Sequence, residues 1–178
     1  MKPFLIILIL LLTAILQTTL VPFLAFKGVS PNLVLTLILV LVVFKGFQEN
    51  WWLVILAGLF LDLFSGLPFG LISLGLLITA YLIDWFNRNV FLGAKFWILA
   101  ALIGLGSLFY DLILVGLSRL FVIIGLSQVI PCFCGFSWGC LVAWLLAVMI
   151  GIVYNLVALI FFYVLKKIFY QKQGARGY

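Results

Sequence analysis

Apolar runs close to membrane-spanning length follow one another along almost the whole of this chain, interrupted only by short polar segments or by glycine and proline. Of its 178 residues 68% are hydrophobic and only 8% charged. That leaves too little polar surface to cover a soluble globule. An apolar solvent supplies no partner for backbone N–H and C=O groups, so such runs are expected as helices, which satisfy those groups internally. The expected class is therefore all-α, an integral membrane bundle of six transmembrane helices. Residues 1–178 are expected to form a single polytopic domain, since no soluble domain or usable linker lies between the first and last runs.

The runs fall at about 4–21, 33–44, 51–64, 69–83, 96–117 and 138–165. Thr13 and Gln17, four apart on the first, suit an interhelical hydrogen-bonding seam. Ser30-Pro31-Asn32 offers a cap and a proline for the start of the second. The segment 45–50 reads as a polar loop, and Trp51 and Trp52 after it as an interfacial anchor. Residues 65–70, Ser-Gly-Leu-Pro-Phe-Gly, end a helix but carry no charge to hold them in water. This break is expected partly within the membrane, packed against protein. Asp84 to Lys95 reads as a loop with an anchor tryptophan, and 119–139 as an outer interfacial or re-entrant piece. Gly104, Ser107, Asp111 and Ser118 recur at helical spacing on the fifth run, as do Ala147, Gly151, Asn155 and Ala158 on the sixth. Both sets predict small, polar faces suited to close helix packing.

The net charge of +6 does not gather into a basic face, so nucleic acid is not an expected partner. Topology explains it better. With six spans and both termini inside, Lys2, Lys45, Arg88, Lys95, Lys166, Lys167, Lys172 and Arg176 are cytoplasmic, while Lys27 and Arg119 are outside.

Asp62 and Asp111 are the two acids expected inside apolar runs, where a charge costs about 2.5–3.5 kcal/mol on insertion scales. Each must therefore face protein, water or a partner. Asp62 could pair with Ser65, but the favoured reading is that it accepts hydrogen bonds from freed N–H groups or hydroxyls of the break and fixes the helix ends. Asp62→Leu is accordingly expected to do more damage than Ser73→Ala. Arg119, two turns beyond Asp111, either pairs with it or snorkels to the outer interface. Two acids are sparse for a proton pump. With no His, and Glu49, Asp62, Asp84 and Asp111 as the only acids, no catalytic constellation stands out. No glycine-rich phosphate loop is present. Cys132, Cys134 and Cys140 lack zinc-site spacing; they read as small apolar packing residues, two of which can form a disulfide in an oxidising compartment. No metal or cofactor is expected.

Ser30-Pro31-Asn32-Leu33 opening an apolar run, followed by Gly58-Leu59-Phe60-Leu61-Asp62-Leu63-Phe64-Ser65-Gly66-Leu67-Pro68-Phe69-Gly70, resembles the rod-shape-determining MreD family of bacterial inner-membrane proteins. The motif likeness covers residues 1 to about 90, and Asp111 and Asn155 before a basic tail extend it less specifically. The resemblance implies a non-enzymatic subunit of the cell-wall elongation machinery, an adaptor for the MreC scaffold and the peptidoglycan synthases beside MreB filaments. Contacts to an MreC-like protein would run through transmembrane and periplasmic-side surfaces, with room for a lipid in the bundle. It also implies a fold similar to the substrate-binding S components of energy-coupling-factor vitamin transporters, which supplies the alternative of a small-molecule-binding subunit. Pro31, Asn32, Asp62, Ser65, Gly66, Pro68, Gly70, Asp111 and Asn155 are the residues marked by the resemblance and the polar stripes.

Overall fold

The computed structural model describes residues 3–25, 29–90, 96–125, 142 and 144–160, and these contain helices and turns but no strand. Among the described residues the α-helices are, in order, α1 (Pro3–Thr19), α2 (Leu33–Lys45), α3 (Phe47–Ser65), α4 (Leu71–Asn89), α5 (Phe96–Ile123) and α6 (Trp144–Ile160). A 3-10 turn at Val21–Leu24 follows α1, with Pro22 in its first positions. Phe47–Ser65 and Trp97–Ile123 are long and apolar enough to cross a membrane. At about 1.5 Å rise per residue, α2 is roughly 20 Å long and α5 roughly 42 Å.

Helices α2, α3 and α4 are joined by Gly46 alone and by residues 66–70, and they double back on one another. Gly46 has φ +87°, which a glycine adopts without the penalty a Cβ would bring. The core is a continuous apolar cluster in which Leu10, Leu35, Ile38, Leu39, Leu53, Leu76, Ile83, Leu102 and Ile103 are fully enclosed. Outward-facing positions are also apolar, Leu12, Leu63, Phe69, Trp97, Leu112 and Val153 among them.

Two segments expected as loops are helical. Asp84 to Asn89 continues α4, because Arg88 and Asp84 pair across one turn at 3.0 Å and the Asn87 amide donates to the Val43 carbonyl at 3.2 Å, fastening the polar end to α2. At 47–50 the chain is already in α3, where buried Asn50 donates back to the Gly46 carbonyl at 2.8 Å. Likewise α5 carries on through Arg119 to Ile123. Residues 126–141, with all three cysteines, and the basic tail lie outside the described residues.

Candidate functional site

The break between α3 and α4 is closed by Asp62. Leu71, Ile72 and Ser73 open α4, and the amides of a first helical turn have no intrahelical acceptor. The Ile72 N–H donates to Asp62 Oδ1 at 2.9 Å and the Ser73 N–H to Oδ2 at 3.1 Å, while the Ser73 hydroxyl makes a short hydrogen bond to Oδ2. One carboxylate, 4% exposed, thus caps α4 from the neighbouring helix and complements the positive end of its dipole. Gly70, at the cap position itself, has no side chain to do so.

The surrounding residues bring that carboxylate into place. Gly66 ends α3 at φ +65° and Gly70 starts α4 at φ +93°. Nothing lies within 4 Å of a Cβ added at either, so backbone conformation and not space selects glycine there. Ser65 does not touch the Asp62 carboxylate. Its hydroxyl donates to the Asp62 backbone carbonyl at 3.3 Å and accepts the Leu67 N–H at 3.2 Å, while the Pro68 carbonyl accepts from Leu71 at 3.2 Å. Gly58, one turn before Asp62, lets the helices meet: a Cβ there would stand 2.5 Å from Ser73 Cα.

At the same end of the bundle a second polar group ties four helices together. Asn32 is the N-cap of α2, with Oδ1 accepting the Leu35 N–H at 3.0 Å; Pro31 precedes it, and Ser30 is not the cap. Gln17 of α1 donates to Asn32 Oδ1 at 3.1 Å and accepts the Val34 N–H at 2.8 Å. Thr13, its expected companion, turns its hydroxyl back to the Ile9 carbonyl in its own helix. Asn155 of α6 accepts the Asn32 N–H at 2.9 Å and donates to Ser107 of α5 at 2.8 Å. Ser107 in turn donates to the Ile103 carbonyl at 2.9 Å. Asn155 and Ser107 are buried, so each amide and hydroxyl in this chain is matched where an unmatched one would be destabilising. The side chain of buried Tyr110 meets Asn32 from α5.

Other marked positions behave differently. Asp111 is half-buried on α5, one turn beyond Ser107, and no hydrogen bond or ion pair from a described residue reaches it. Gly104 on the same face faces α6, where a Cβ would make an ordinary contact with Ile152 at 3.7 Å. Ser118 is buried and bonds within α5 to the Val115 carbonyl. At the opposite end, Asp84 is 7% exposed, and its Oδ1 atom has no hydrogen-bond partner among the described residues. Reading residues 84–89 as a loop concealed this acid, although the Asp84/Arg88 spacing is that of a helical ion pair. No group of three or more metal-ligating side chains occurs among the described residues.

No protein-family model, curated protein sequence or solved structure matches the chain.

Proposed function

We propose that this chain is a six-pass membrane adaptor of the MreD type, a non-enzymatic subunit that holds a partner polypeptide of the bacterial cell-wall elongation machinery. Both termini are cytoplasmic in this reading. The observation that carries it is the place of the resemblance-bearing residues. Asn32, partly buried, and Asp62, buried, are both acceptors for the first turn of a helix, α2 and α4 respectively, and both sit at one end of the bundle. Such groups fix shape; they do not carry out chemistry.

Three further features support it. The outward faces are apolar at positions where a soluble protein would be polar, and α3 and α5 have spanning length and hydropathy. Exposed Trp51, Trp85 and Trp97 gather at the end that also holds Lys45 and Arg88, as an interfacial belt on the cytoplasmic side would. The acids at depth are engaged in capping or stand alone, without a neighbouring base and nucleophile among the described residues. The locked end would then face the periplasm and meet the transmembrane helix and juxtamembrane segment of an MreC-like scaffold.

Co-expression of the tagged chain with the MreC-like protein of its own genome, followed by purification in mild detergent, tests this. The expected result is recovery of both chains in fixed ratio from the membrane fraction. Recovery of the tagged chain alone, carrying a small molecule, would favour a transporter S component and overturn the proposal.

A further inference from the structure

Asp111 is not used by either polar lock. It lies fifteen residues after the start of α5 and twelve before its end, about 22 Å and 18 Å along the axis at roughly 1.5 Å per residue. Its neighbours are already committed: Ser107 bonds to Asn155, and Tyr110 meets Asn32 on the buried side. Of the described cations, Arg88 pairs with Asp84 and Lys45 sits at the end of α2. This carboxylate, half open in the middle of an apolar helix, makes no ion pair among the described residues, and a cation brought to it from outside them would offset its cost.

The surface beside it has room for one. Ala101, Leu108, Leu112 and Gly116 form an exposed, uncharged strip on the adjoining side of α5, and nothing stands within 4 Å of a Cβ added at Gly116. Small and aliphatic residues in such a strip let another helix lie close. We propose that Asp111 is the docking carboxylate for a single Lys or Arg carried midway along an apolar helix of another polypeptide, seated on this strip. The inference rests on the adaptor reading and specifies the chemistry of the partner helix.

Depth decides among the sources of positive charge. A lipid amine resides in the headgroup layer, well short of a residue this far from both helix ends. Among its described residues a second copy offers no cation at that depth either. The described basic residues Lys45, Arg88 and Arg119 lie near helix ends, and the same face of a second copy would present another Asp111. A basic side chain inside a partner's apolar segment reaches the right level, and pairing there offsets the penalty on both sides.

The test uses the full-length chain in phosphatidylcholine vesicles and synthetic Leu/Ala transmembrane peptides of ~20 residues. One peptide carries a single central Lys, a second has that Lys at its end, and a third has none. Binding is read by energy transfer between labels. The central-Lys peptide is expected to bind about 3- to 30-fold more tightly than the other two, the range set by intramembrane polar contacts. In Asp111→Asn that preference should vanish while helicity and elution volume stay unchanged. Equal binding of all three peptides to the unaltered chain would overturn the proposal without recourse to any variant. So would a preference that survives Asp111→Asn, or Asp111-dependent transfer between two labelled copies, which would make the occupant a second chain. No Lys preference in the unaltered chain, alongside intact co-purification with the MreC-like protein, would remove this inference and leave the adaptor reading standing.

Discussion

Replacing Asp62 separates a structural carboxylate from a decorative one. In Asp62→Leu the side chain stays apolar and similar in length, but the Ile72 and Ser73 amides lose their acceptor inside the bundle. Each buried, unsatisfied N–H is worth about 1–3 kcal/mol, so roughly 2–6 kcal/mol of stability is lost. Removal of a negative group from the start of α4 adds about 0.3–1 kcal/mol. Ser73→Ala deletes only the hydroxyl donor and leaves both amide bonds in place, for a loss of about 1.5–3 kcal/mol at most. Thermal unfolding in mild detergent, followed by the fraction still eluting as a monodisperse peak after heating, gives the order. Asp62→Leu should fall furthest and Ser73→Ala least, and the double variant should be no worse than Asp62→Leu alone, since both changes act on one hydrogen-bonded group. An Asp62→Leu protein as heat-resistant as Ser73→Ala would refute the reasoning.

Glycine positions give an internally controlled pair: Gly58→Ala should destabilise by about 1–3 kcal/mol because its Cβ meets the α4 backbone, while Gly116→Ala, with open space around it, should be neutral or stabilising in the same heating assay. Gly66→Ala and Gly70→Ala should each lose about 1–2 kcal/mol from the left-handed backbone alone, and no compensating substitution of a neighbour should restore it. Asn155→Leu leaves the Asn32 amide without its acceptor and should cost about 1–3 kcal/mol, with hydrogen exchange of the first turn of α2 accelerated relative to the middle of that helix.

Much of the helical layout was legible because its signals are local. The apolar runs, Gly46, and the Gly66, Pro68 and Gly70 punctuation place the helices to within a few residues at most boundaries. The missed boundaries share one cause. Polar residues at the end of an apolar helix look the same in sequence whether they leave the helix or continue it, and the Asp84–Arg88 pair and the Asn87–Val43 contact decide for continuation. The Asp62 lock was partly legible, since an acid next to a glycine-proline break has few acceptable partners. Its use of Ser73 and not Ser65 depends on how α4 returns over Gly58, which spacing alone does not encode. The second lock was hardly legible at all. Gln17, Asn32, Ser107 and Asn155 converge from four helices, and hydropathy along one chain carries no record of which polar residues meet.

On the proposed adaptor role, a polar end built around Asp62 and Asn155 holds this bundle in the shape a partner protein recognises. Native mass spectrometry of the tagged chain, released directly from membranes containing the MreC-like protein, measures it most directly across the unaltered chain, Ser73→Ala and Asp62→Leu. A complex with that protein is expected in the first two, and its loss, or reduction to a minor species, in Asp62→Leu. A complex of equal abundance in all three, or an unaltered chain that carries a small molecule and no protein, would contradict it.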